Sequence, residues 1–429
     1  MRRARLPVLH STRFPLSESL ARNLVPVDGV EVPKPESPAL PDTGARLATA
    51  LLAYMGLITA VVTLLPFQFA YPSEPRVMLA GGLMDMLANV ALFIPLGFLY
   101  AVARNESNVS LKRVVAVAVL VSATIETVQL FEVTRFASLS DIIANGLGAW
   151  LGAAGQRRLA RRIAMDARTV GRLALELPLM GLVYLLLPLL WVDGLAGRGS
   201  VASLWPMLAL GLFGASLLGS AQRHHFGPNR SLSRELMTGA ACVWFLLGAF
   251  PGLAPRASIV LFLMVAAVGV FVWVRSEDRS RARSINRRFE SKALSEAAPF
   301  YAAYLLLLVA PVAAYSSTGW RGELGFGIAP DAWNSTAVLH VLETVVAFTL
   351  LGYMLAELRG RREARFRQGV RYIAACSAGA AALTELLEGL RPDGGASALR
   401  MALLIVAALY GAWLYHLQRA HVRRLLGRA

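Results

Sequence analysis

With 429 residues, 56% of them hydrophobic and only 16% charged, and a positive mean hydropathy, the chain is too apolar for a soluble enzyme of its length. A formal net charge of +16 would suit nucleic acid, but no basic folded module accompanies it, which excludes nucleic acid as the expected partner. The composition points instead to a polytopic protein whose partner is the lipid bilayer.

The first 45 residues hold Pro7, Pro15, Pro26, Pro33, Pro35, Pro38 and Pro41 among few adjacent apolar positions, and read as a disordered cytoplasmic tail. No apolar h-region of a cleavable signal precedes the first long run, so that run is expected to direct insertion itself. Twelve apolar runs follow, near 47–70, 77–103, 114–131, 139–155, 173–192, 202–221, 236–250, 258–274, 299–315, 336–356, 372–388 and 401–417. Runs of this length suit membrane helices and not barrel strands, so the expected class is an all-α polytopic transmembrane protein of about 12 spans. All but seven of the 43 Lys and Arg fall in alternate connections; the exceptions are Arg76, Arg135, Arg198, Arg256, Arg321, Arg391 and Arg400. That asymmetry predicts both termini in the cytoplasm. Cys242 and Cys376, the only two cysteines, lie in apolar runs and read as small buried residues.

Prolines near the outer end of every fourth run suggest an internal organisation. Pro66, Pro188 and Pro311 are 122 and 123 residues apart, and Gly97, Gly219 and Gly352 follow in the next runs. Three parallel four-helix units are therefore expected, at 46–160, 173–275 and 297–420, the middle one a scaffold.

Within the first unit, Asp85 and Asn89 are four apart, Glu126 and Gln129 three apart, and Asp141 and Asn145 four apart. Each pair shares a helical face. A span beginning at Val77 would carry Asp85 about 12 Å inward, and antiparallel neighbours would bring Glu126, Asp141 and Arg135 to the same outer half of the membrane. Ionisable residues in that setting are expensive and mark function by default. Arg135 could clamp phosphate or carboxylate, the three acids could hold Mg²⁺ or Ca²⁺, and Glu126 could act as acid or base. Interhelical hydrogen bonding is the plain structural alternative. No catalytic residue, resident metal or cofactor is assigned by these residues. The third unit carries a possible second cluster in His340, Glu343, Glu385, Glu388 and Arg391, with His340 in the place of Asp85 and Glu385 in that of Glu126.

The strings DMLANVALFIPLGFL, IETVQ and RFASLSDIIANGLGAWLG, in this order and spacing, make residues of about 47 to 155 resemble the VanZ-like family. The resemblance implies a bacterial cell-envelope protein of the cytoplasmic membrane, of a kind linked to teicoplanin resistance or surface polysaccharide systems, and supplies no catalytic assignment. The matching residues are Asp85, Asn89, Pro95, Gly97, Glu126, Gln129, Arg135, Asp141, Asn145 and Gly148. The leading expectation is an outward-facing polar pocket that binds an anionic lipid-linked glycan or other envelope precursor. The alternatives are an enzyme acting on a phosphorylated lipid headgroup and a proton-coupled transporter with Asp85, Glu126 and His340 as carriers.

Overall fold

In lipid every backbone N–H and C=O must find its partner within the protein, so long apolar runs fold as helices. The computed structural model describes residues 43–71, 77–79, 81–104, 110–163, 167–196, 204–225, 234–253, 259–277, 289–309, 319–325, 334–360, 366–390 and 395–425. Residues 1–42 of the expected tail, Pro311 and Arg391 lie outside these residues, while 43–45 are helical.

Twelve helices occur among the described residues: α1 (Thr43–Leu64), α2 (Leu83–Arg104), α3 (Leu111–Gln129), α4 (Leu139–Ile163), α5 (Ala167–Ala196), α6 (Leu204–His225), α7 (Arg234–Leu253), α8 (Ile259–Glu277), α9 (Phe289–Val309), α10 (Ser335–Gly360), α11 (Phe366–Glu388) and α12 (Ala398–Leu425). Seven are long and apolar enough to cross a membrane: α1, α2, α6, α8, α10, α11 and α12, with a shorter apolar stretch at Gly181–Ala196 of α5. The protein is thus all-α and multi-pass, although twelve full spans are more than this measure supports. In α3 the charges of Lys112, Arg113 and Glu126 intervene, and in α4 Asp141, Asn145 and the glycines dilute the apolar character.

Four two-residue strands complete the structure. β1 (Val77–Met78) pairs in parallel with β2 (Ala137–Ser138), and β3 (Gly322–Glu323) pairs in parallel with β4 (Ala396–Ser397). The first ladder corrects the expected span at 77–103: Val77 and Met78 are strand, and α2 starts only at Leu83. Asp85 consequently stands in the first, exposed turn of α2, not about two turns inside it.

Helix α2 packs along α4, and α10 along α12. A Cβ added at Gly97 would stand 2.1 Å from the Ala149 carbonyl oxygen, and one at Gly152 would stand 1.9 Å from that of Ile94. Between α10 and α12, Gly352 and Gly411 stand in the same relation to the carbonyls of Ala408 and Thr349, at 1.8 Å each. Only glycine lets the two backbones meet so closely.

The core sits where α5, α6, α7, α9 and α10 converge on the fully buried Trp191, Phe213, Phe245, Tyr304 and Tyr353. Three buried aromatic polar atoms find backbone partners there. Trp191 Nε1 donates to Leu247 O at 3.1 Å, Trp244 Nε1 to Val183 O at 3.1 Å and Tyr301 Oη to Ala347 O at 2.7 Å. These bonds tie α5 to α7 and α9 to α10.

Candidate functional site

The first ladder builds the site by carrying the end of the α3–α4 connection past the start of α2. Backbone bonds from Ala70 to Phe131 O (2.8 Å) and from Val133 to Gln68 O (3.0 Å) fasten that connection to the chain leaving α1. Gln129 Nε2 donates to Thr63 O at 2.8 Å, and Arg135 Nε donates to Leu65 O at 3.2 Å. Gln129 therefore serves as an anchor, while Arg135 is held by its Nε with its side chain exposed at the rim.

Below this rim stand two serines, Ser138 at the end of β2 and Ser140 in the first turn of α4. Ser138 N donates to Glu126 Oε2 at 2.7 Å, the Ser138 and Ser140 hydroxyls are 2.7 Å apart, and Ser140 Oγ accepts from Gly81 N at 2.8 Å. Asp141 has Asn89, Ser140 and Ser138 as polar neighbours, with Ser140 Oγ 3.4 Å from its Oδ1 and the Asp85 carboxylate within electrostatic range. Glu126 feels both Asp141 and Arg135. Glu126 of α3 and Asp141 of α4 thus meet at one pair of serines, with Asp85 of α2 within electrostatic range of Asp141. Asn145 lies one turn deeper, where its Nδ2 donates to Ser122 Oγ at 2.8 Å, with Oδ1 buried and lacking a hydrogen bond.

Sequence reasoning assigned no role to Ser122, Ser138 or Ser140. Ser138 and Ser140 lie inside the string RFASLSDIIANGLGAWLG and Ser122 lies outside all three strings; a hydroxyl is too common to stand out by type.

The expected second cluster divides into separate contacts. His340 Nε2 lies 3.2 Å from Glu388 Oε1. Glu385 is bound instead by Arg400: Nε to Oε1 at 2.6 Å and Nη2 to Oε2 at 2.7 Å, with Nη2 also donating to Gly395 O at 2.9 Å. Arg400, counted from sequence among the outer-loop arginines, is a buried partner near the start of α12. Glu343 turns toward α9 and α5, accepting from Tyr304 Oη at 3.3 Å and meeting Asp193. Asp193 is a buried acid of the middle helices that sequence reasoning passed over. Its neighbours in WVDGLAG carry no polar pattern, so only tertiary packing reveals its partner.

Ser122 and Asn145 correspond in spacing to Ala381 and Leu404 of α11 and α12, an apolar pair in the same frame. Asn145→Leu alone is expected to strand the buried Ser122 hydroxyl and destabilise the protein by about 1–3 kcal/mol. Adding Ser122→Ala should recover most of that loss in thermal unfolding. Equal destabilisation by the single and double variants would refute the pairing.

Carboxylates, amides and hydroxyls at the mouth of a helical bundle can bind ions and polar headgroups by charge and hydrogen bonding. Among the described residues, no three His, Cys, Asp or Glu side chains converge closely enough to hold a metal ion. Apolar crossing helices carrying one polar end-site define a multi-pass membrane protein.

Residues 45–161 match the family model described as VanZ/LLP1, a segment that includes every residue of the site just described. The protein is VanZ-like over this segment. No curated protein and no solved structure matches the chain.

Proposed function

We propose that α1–α4 form a headgroup-binding site on the outer face of a bacterial cytoplasmic membrane, and that its ligand is an anionic, lipid-linked envelope precursor such as a glycan carrier. The observation that carries this reading is the meeting of Glu126 and Asp141 at Ser138 and Ser140, with Asp85 within electrostatic range of Asp141 and an exposed Arg135 at the rim. Arg135 offers a planar fork to a phosphate, and the buried polar groups would read what is attached to it. Lys and Arg concentrate in the connections at the opposite end of the helices, which favours an outward site and cytoplasmic termini. The spacing shared by α1–α4 and α9–α12 supports their being copies of one four-helix unit, with α5–α8 as scaffold.

Arg135→Ala, Asp85→Asn and Glu126→Gln are tested by binding of the purified protein to a polyprenyl-diphosphate-linked sugar. Arg135→Ala should weaken binding by about tenfold or more, the usual effect of losing a charge-assisted pair. Unchanged affinity in all three variants would refute the reading.

Proton-coupled transport is a second reading, supported by the buried contact of Asp193 with Glu343 between α5 and α10. Facing carboxyls in a dry interior can share and pass a proton. Asp193→Asn and Glu343→Gln should each abolish proton-driven substrate uptake in vesicles while leaving headgroup binding intact. Labelling of Asp85→Cys from the outer side alone would count against an alternating-access path.

A further inference from the structure

The two glycine-sealed helix pairs carry the same carboxylate frame with opposite charges inside it. In both, a buried glutamate accepts the backbone N–H of the serine twelve residues later at 2.7 Å: Glu126 from Ser138, and Glu385 from Ser397. In both, the serine closes a two-residue parallel ladder. Fifteen residues after Glu385 stands Arg400, whose guanidinium covers both carboxylate oxygens and reaches the Gly395 carbonyl. Fifteen residues after Glu126 stands Asp141. The frame that seats a cation is retained in α1–α4, but the chain's own cation has been replaced by a second carboxylate.

Among the described residues, Glu126 thus has no counterpart of the contact that Arg400 makes with Glu385. Glu126 is 6% exposed, its Oε2 is occupied by Ser138 N–H, and no donor among the described residues bonds to Oε1. Asp141 and, nearer the mouth, Asp85 add charge of the same sign. Carboxylates within electrostatic range of one another, as Glu126 is of Asp141 and Asp141 of Asp85, repel unless a cation or shared protons compensate. In α9–α12 the compensating group is a planar, hydrogen-bonding cation, and it shows what the common frame accommodates.

We propose that the α1–α4 site binds the cationic nitrogen of its ligand, a primary ammonium or guanidinium, between Glu126 and Asp141, and that Arg400 occupies the equivalent place in α9–α12 as a built-in plug. Together with Arg135 at the rim, this selects an amphoteric headgroup: phosphate toward Arg135, amino group inward. The proposal rests on the headgroup-binding reading above and adds the charge that the ligand must carry.

The test uses the full-length protein in detergent, with native mass spectrometry counting retained lipid. The probes are phosphatidylethanolamine, its N-acetylated form, phosphatidylglycerol, soluble phosphoethanolamine and Ca²⁺. Wild-type protein should retain phosphatidylethanolamine about tenfold better than either lipid lacking the ammonium, as expected when a charge-assisted bond is lost. Asp141→Arg, which copies the α9–α12 arrangement, should abolish that preference without lowering the thermal midpoint. Glu126→Gln combined with Asp141→Asn should bring phosphatidylethanolamine retention down to that of its N-acetylated form, a check that stands even if the arginine variant fails to fold.

Equal retention of the ammonium and N-acetyl lipids, or an unaltered preference in Asp141→Arg, would overturn the cation proposal while leaving headgroup binding in place. Displacement of the lipid by Ca²⁺ more readily than by phosphoethanolamine would overturn it in favour of a metal cation. Strong binding of soluble phosphoethanolamine with no lipid retention would uphold the cation site and refute the lipid headgroup reading.

Discussion

Arg400→Met is expected to destabilise the protein by about 3–5 kcal/mol, and Glu385→Gln in the same chain is expected to restore most of that loss. Both side chains are almost wholly buried, with Arg400 3% and Glu385 5% exposed. The guanidinium satisfies two carboxylate oxygens and a backbone carbonyl at once. Without it, Glu385 keeps only the Ser397 N–H, and a carboxylate is left in an apolar bundle without a counter-charge. Neutralising the glutamate removes the cause, so the double variant should unfold nearer the wild-type temperature than either single one. Thermal unfolding in detergent provides the measurement. An Arg400→Met protein as stable as wild type would show that the pair contributes nothing to holding α11 and α12 together.

Gly97→Ala and Gly352→Ala are each expected to cost about 1–3 kcal/mol, the range found when atoms are forced into a filled interior. Alanine is ordinarily the better helix former, by about 0.8–1.0 kcal/mol, so the sign of the effect is diagnostic. At Gly97 the new methyl would meet a backbone carbonyl 2.1 Å away, and at Gly352 one 1.8 Å away. Neither obstacle is a side chain that can rotate, so the helices must separate. Gly56 in α1 supplies the internal control, since nothing lies within 4 Å of a Cβ built there. Gly56→Ala should leave the unfolding temperature unchanged or slightly raised. A loss at Gly56 equal to that at Gly97 would mean that the carbonyl approach is not responsible.

Much of the site was legible because hydropathy makes polar residues conspicuous. Asp85, Glu126 and Asp141 each stand out against an apolar background, and helical spacing puts Asn89 on the face of Asp85 and Asn145 on that of Asp141. Antiparallel succession of α2, α3 and α4 then suffices to expect the three acids at one end of these helices, where they stand. Their depth was misjudged, because Val77 and Met78 are as apolar as a helix start and nothing local reveals that β2 will pair with them. Gln129 was grouped with the acids by spacing, but it spends its amide on Thr63 O, a partner 66 residues away.

Sequence by itself determined the class of the protein and drew attention to the acids of α2, α3 and α4. The apolar runs demand helices wherever lipid replaces water, and charged residues within those runs are too costly to be accidental. Only the tertiary structure decided which partner each charge has. Arg400 and Asp141 stand at matching places in matching frames, yet one closes its site with its own guanidinium while the other leaves the carboxylate beside it open. Glu343, three residues from His340, turns to Asp193 on α5. Such pairings depend on distances across helices, which period and composition do not carry, and in a low-dielectric interior a few ångströms separate a compensated charge from an exposed binding group.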